Sequence, residues 1–131
     1  MREILFRGKD FSGVINHSWC FGSLDTTEDD RAIIIYPDRF GNKCRIFVNP
    51  ETVGQYTGLK DKNGTKIFEG DIVKRVWFGK MSIYQIVYDN GLARFIGRAG
   101  MIFKASFYYD SEEFEVVGNI YDNPELLGGN G

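Results

Sequence analysis

A chain of 131 residues suits one domain and buries roughly two thirds of the surface its unfolded form exposes, so a disulfide staple or structural metal is not required. At 43% hydrophobic and 15% aromatic residues it is too apolar to be intrinsically disordered, and the weight of aromatics, Ile and Val against Ala and Leu favours sheet over helix. The formal net charge of −2 excludes a chain that holds nucleic acid by overall positive charge, so such a role needs a local patch.

Ile4–Arg7 reads as a first strand, broken by Gly8-Lys9-Asp10 and Ser12-Gly13. A second strand is expected over Val14–Phe21 with Trp19 as its anchor, followed by a polar acidic loop at Asp25–Asp30. Ala32-Ile33-Ile34-Ile35-Tyr36 is a continuous apolar run stopped by Pro37, which predicts a strand buried on both faces. Asp38–Lys43 turns the chain, and Cys44–Val48 returns as hairpin partner. Asn49-Pro50-Glu51-Thr52 is suited to cap one short helical turn.

Val53–Lys74, VGQYTGLKDKNGTKIFEGDIVK, holds the densest turn and strand signals. Asp61-Lys62-Asn63-Gly64 lies between β-forming flanks, and Asn-Gly tolerates positive φ at both central positions of a hairpin turn. Gly70 makes a second reversal, which the Asp71 carboxylate is suited to cap. Gly64, Glu69, Gly70 and Asp71 are therefore read as a structural motif. Diverging turns before an apolar strand favour a small sheet curled on itself.

Downstream the same grammar repeats. Ile72–Phe78, Met81–Tyr88, Leu92–Ile96 and Met101–Tyr109 are strands separated by Gly79-Lys80, Asp89-Asn90-Gly91 and Gly97-Arg98-Ala99-Gly100. In Phe114–Tyr121, Phe114, Val116, Gly118 and Ile120 alternate with Glu115, Val117, Asn119 and Tyr121, which predicts one apolar face along the whole strand. Asn123-Pro124-Glu125 offers an N-cap and first turn, and 128–131 a loose tail.

The central VGQYTGLKDKNG and IFEGDIVK segments, the opening Arg2–Arg7 and the closing Glu115–Leu127 resemble the YopX family of bacteriophage and prophage proteins. The resemblance implies a small β-rich phage protein made in a bacterial cytoplasm. It brings no established catalytic residues to carry over.

Catalytic and metal chemistry find little material. His17 is the one histidine, and period-two alternation puts it and Cys20 on opposite faces of a strand, so it reads as a structural or surface residue. Two Cys and one His without a CxxC pair fall short of a zinc site. The N-terminus MREILFRGKD has no apolar signal region, so Cys20 and Cys44 are expected as free thiols in a reducing compartment, and no apolar run approaches the length needed to cross a bilayer. Glu69 and Asp71 flanking Gly70 read as turn chemistry, not as paired catalytic carboxylates, and Glu28-Asp29-Asp30 lacks calcium-loop spacing.

Between Asp71 and Lys104 six cations face two acids, Asp71 and Asp89. Lys74, Arg75, Lys80, Arg94, Arg98 and Lys104 mix there with Trp77, Phe78, Tyr84, Tyr88, Phe95 and Phe103. Small barrels that bind single-stranded nucleic acid track phosphates with cations and stack bases on aromatics, so Lys74, Arg75, Trp77, Lys80, Arg94, Arg98 and Lys104 form a candidate contact set. The competing reading is that the aromatics fill the core. Surplus aromatics also predict an apolar patch covered by another copy or by a host protein.

The sequence thus predicts an all-β fold of consecutive hairpins curled into one or two small SH3-like sheets with minimal helix. It is read as a single domain over 1–127 with sub-lobes at 1–52 and 53–127. The functional expectation is a non-enzymatic phage accessory protein in the host cytoplasm, acting without cofactor or metal as an oligomeric binding module. Single-stranded nucleic-acid binding and inhibition or adaptation of a host protein are the alternatives. A small hydrolase or nuclease would need a catalytic constellation that the residues do not spell out.

Overall fold

The computed structural model describes residues 3–13, 15–27, 29–99, 103–105 and 113–128, with 77, 103–105 and 128 as backbone alone. The chain is nearly all β and divides into two compact units, Met1–Tyr56 and Thr57–Gly131. Among the described residues the helical elements are a 3-10 turn at Pro50–Thr52 and α1 (Glu125–Gly128). No helix is long and apolar enough to cross a membrane.

The first unit holds β1 (Phe6–Lys9), β2 (Trp19–Thr26), β3 (Ala32–Pro37) and β4 (Lys43–Val48), and the start of β5 (Gly54–Lys60). Their antiparallel order is β4-β3-β2-β1-β5. The sheet curls until its far edge meets the end of β1: Asp10 bridges Val48, Phe11 N–H donates to Phe47 O at 3.0 Å, and Asn49 N–H donates to Lys9 O at 2.8 Å. Period-two alternation turns Cys20, Ala32, Ile34, Ile46 and Val48 inward, with Phe6, Leu24, Tyr36 and Val53 packed against them. The tight curl leaves no room at Gly22, where a Cβ would overlap the carbonyl oxygen of Ile35.

Two local expectations are corrected in this unit. The second strand starts at Trp19 and runs to Thr26, because residues 10–13 and 15–18 lie in a loop built around the buried Asp10. Asp10 Oδ1 accepts from Ser12 N–H (3.0 Å) and Ser12 Oγ (2.9 Å), and Oδ2 accepts from Ile15 N–H at 2.7 Å. These bonds give the backbone an alternative to a ladder. The run at 32–36 is not buried on both faces: Ala32 and Ile34 are buried, whereas Ile33 and Ile35 are half-buried. The predicted cap is present, with Asn49 Oδ1 accepting from Glu51 N–H ahead of Pro50–Thr52.

Within the second unit β6 (Lys66–Phe68) follows the end of β5, and β7 (Asp71–Trp77), β8 (Lys80–Asp89), β9 (Arg94–Ala99), β10 (Phe103–Ala105) and β11 (Phe114–Asn119) form an antiparallel sheet. Its order is β10-β9-β8-β7-β11. Ile67, Val73, Tyr84, Ile86 and Phe114 make the core, and Leu59, Phe95, Ala99 and Val116 pack on it. Tyr84 meets Phe114 edge to face at 5.7 Å between ring centroids, an arrangement that contributes about 0.5–1.5 kcal/mol beyond burial. The apolar face expected along Phe114–Tyr121 is interrupted by a register shift between Val116 and Gly118, which pair with Val73 and Ile72. A bulge of this kind moves later side chains to the other face. Of the strand expected over 101–109 only 103–105 are described, and Val14, Glu28 and the tail from 129 lie outside the described residues.

The hairpin at Asp61–Thr65 forms, with positive φ at Gly64 (+81°) and not at Asn63. Gly64 N–H donates to Asp61 O, while Asp61 Oδ1 accepts from Asn63 and Thr65 N–H, each at 2.9 Å. Asp38–Asn42 closes in the same way, with Asp38 Oδ1 accepting from Phe40 and Asn42 N–H and Gly41 at φ +83°. At the second reversal Gly70 has φ +94°, and Asp71 Oδ2 caps Phe68 N–H at 2.7 Å. Glu69, beside it, is half-buried.

Candidate functional site

The β7–β8 hairpin carries an exposed turn with a left-handed backbone and two cations on one face. Its register runs from Ile72 opposite Gln85 to Trp77 opposite Lys80, leaving Phe78-Gly79 as a two-residue turn. The strands thus meet at Phe78-Gly79, one residue earlier than the Gly79-Lys80 break read from the sequence. Both turn residues have positive φ, +50° at Phe78 and +77° at Gly79, as a type I′ turn requires. Glycine meets that demand without strain, but a phenylalanine in this region costs of order 1–2 kcal/mol. Phe78 is nonetheless 91% exposed, so burial offsets none of the strain. Beside it the facing pair Val76 and Met81 are 60% and 63% exposed.

Alternation sorts the rest of the hairpin by face. Val73 and Arg75 lie opposite Tyr84 and Ser82 on the core face, and Lys80 shares that face. Arg75, Lys80, Ser82 and Tyr84 line an open cleft of about 330 Å³. The Arg75 guanidinium stands 5.6 Å above the Phe114 ring, and its Nη2 lies 2.9 Å from Glu113 Oε2. Fixed between a ring and a carboxylate, this cation is pre-positioned where Lys80 is exposed and adaptable.

The predicted contact set is therefore divided. Arg75 and Lys80 come together on the core face. Lys74 is on the opposite face, where its Nζ is 3.2 Å from Glu115 Oε1, an oxygen also 3.7 Å from Lys62 Nζ. The Lys74 contact holds the Glu115 carboxyl below the usual carboxylate range against the opposing pull of burial, with Lys62 and Asn63 adding to the effect. Arg94 lies opposite Asp89, and Arg98 pairs with both Gln85 and Lys104 in the register. Trp77 ends β7 opposite Lys80. Of the aromatics, Tyr84 is buried, and Tyr88 packs edge to face on Phe95 at 5.2 Å.

A second cleft of about 330 Å³ lies in the first unit, lined by Lys9, Asp10, Phe11, His17, Asn49 and Thr52. His17 Nδ1 is 2.9 Å from Asp10 O. A carbonyl only accepts, so a neutral ring carries its proton on Nδ1. Burial pushes the Cys20 thiol up and the Asp10 charge adds to this, the opposite of an activated thiolate. Cys20 and Cys44 are both free. Among the described residues no group of three or more His, Cys, Asp and Glu is placed to hold a metal.

Charge counting along the chain left out Ser82, Val76, Met81 and the keystone Asp10, and did not set Phe78 apart from the other aromatics or give the Asp61 carboxylate a role beyond its turn. The signals for some of them were local: a residue before Gly79 at a two-residue break, and Asp three positions before Gly at 10, 38 and 61.

No curated protein matches the chain. Among solved structures it is similar to protein EF1440 from Enterococcus faecalis, at 26% identity and a TM-score of 0.57 over 97% of this chain and 99% of that one. The profile of the YopX protein family matches residues 6–128, nearly the whole length. The chain belongs to the YopX family.

Proposed function

We propose that this YopX-family chain is a non-enzymatic phage or prophage accessory protein of the bacterial cytoplasm that works as an oligomeric binding module, docking through the end of the β7–β8 hairpin. The observation that carries the reading is Phe78, an aromatic kept in a left-handed backbone conformation while 91% exposed. Backbone strain at a residue so exposed to solvent points to function, and with Val76 and Met81 the ring makes an apolar knob of the kind a partner copy covers. Light scattering coupled to size exclusion tests it. The native chain is expected above monomer mass and Phe78→Asn at monomer mass, and a monomeric native chain contradicts it.

A second reading, single-stranded nucleic-acid binding, is favoured by Arg75 and Lys80 sharing one cleft at the same hairpin. It predicts oligonucleotide affinity that falls linearly in log salt. Fluorescence anisotropy without binding at low salt contradicts it.

A further inference from the structure

The cleft on the core face of the β7–β8 ladder has a chemistry of its own. Arg75 sits directly opposite Ser82, while Lys80 and Tyr84 flank Ser82 two residues to either side. Opposed residues place their Cβ atoms about 4.5–5.5 Å apart and diagonal ones about 7–8 Å, so Ser82 and, diagonally, Lys80 and Tyr84 stand around Arg75, and all four line the one cleft. We propose that this cleft is a phosphate-group site. Arginine presents a planar fork that matches two oxygens of a phosphate, and lysine adds a mobile point charge. Two cations and two hydroxyls approaching from different strands outnumber the two coplanar oxygens of a carboxylate and suit the three or four divergent oxygens of a tetrahedral oxyanion.

Charge decides the place. On the opposite face Lys74 and Lys62 converge on Glu115. Among the described residues the acid that meets the cleft's cations is Glu113, 43% exposed and bonded to Arg75, against two cations. The cleft's roughly 330 Å³ lies at the lower end of ligand sites, about 300–1,000 Å³, room for a phosphate and the sugar it esterifies.

The phosphate's source is either a free ion or mononucleotide, or the backbone of a strand. The inference deepens the nucleic-acid reading by naming its phosphate contact, and the probes separate the two. Full-length protein is titrated with inorganic phosphate, thymidine monophosphate and an oligothymidylate, with sodium acetate at matched ionic strength as control, while backbone amide resonances are followed. The expected result is saturable shifts at Arg75, Lys80 and Ser82 with phosphate-bearing probes and none with acetate. Lys80→Gln with Ser82→Ala is expected to weaken binding at least about tenfold, while resonances elsewhere stay in place and report an intact fold. Shifts with the small probes but not the strand leave the site standing and end the nucleic-acid reading. Equal shifts with acetate, no shifts with any probe, or unchanged affinity in the double variant overturn the proposal.

Discussion

The carboxylate of Asp61 joins its own hairpin turn to a residue 55 positions on in sequence: its Oδ2 accepts the backbone N–H of Val116 in β11 at 2.9 Å, while Oδ1 accepts from Asn63 and Thr65 in the turn. The side chain is buried, so its removal takes the partner from three backbone amides at once. Asp61→Ala is expected to destabilise the chain by about 2–4 kcal/mol, and Asp61→Asn by less because one carbonyl oxygen remains. Urea unfolding of both variants checks the order and size of the losses.

Phe78→Asn converts a strained turn into the Asn-Gly pair that type I′ geometry prefers. The 91% exposed ring loses almost no burial, so the variant is expected to gain about 1 kcal/mol and to melt some 3–5 °C higher. Calorimetry or circular dichroism melts measure this directly. A lower melting temperature would mean that the aromatic ring holds the hairpin together.

Gly22→Ala acts through close approach, not backbone freedom. The added methyl would meet the backbone carbonyl of Ile35 on the neighbouring strand, and backbone cannot swing aside as a side-chain tip can. A loss of about 2–4 kcal/mol is expected, measured as a fall in the urea midpoint. Gly41→Ala, where a Cβ has open space but φ is +83°, is expected to cost only about 1–2 kcal/mol of backbone strain.

Acid stability is expected to depend on Asp10. Burial alone raises its carboxyl, but hydrogen bonds from the Ile15 backbone, the Ser12 side chain and backbone and the His17 backbone outweigh it and hold the group below its ordinary value. The unfolded chain therefore takes up the proton first. The contribution is complete above the unfolded carboxyl value, near about pH 4, and disappears as pH falls through the lower folded value. Asp10→Asn is expected to be less stable at neutral pH and to show a flatter decline below about pH 4, read from denaturant midpoints across that window.

What could be read from the residues was what residues decide locally. Asp61–Thr65 and Asp38–Asn42 announce their turns because one Asp carboxylate and one positive-φ Gly lie within five positions, beside the backbone bonds that close each turn. The start of β2 was misplaced because the competing loop depends on Asp10, which is fixed by the ends of β1 and β4 meeting, a long-range event. The same holds for the site. Lys74 and Arg75 look like one basic pair in sequence, yet period two sends them to opposite faces, and the acids they meet, Glu115 and Glu113, are brought in by the β11–β7 register. The cleft residues Arg75 and Ser82 become neighbours through a turn at Phe78-Gly79 that phenylalanine disguises.

The most direct measurement is sedimentation velocity of the native chain and Phe78→Asn over a range of concentrations, paired with their thermal melts. The account predicts that the native chain assembles as concentration rises, while Phe78→Asn stays monomeric and melts higher, so that stability and assembly move in opposite directions at one residue. A native chain that remains monomeric throughout, or a Phe78→Asn variant that assembles as the native chain does, would contradict it.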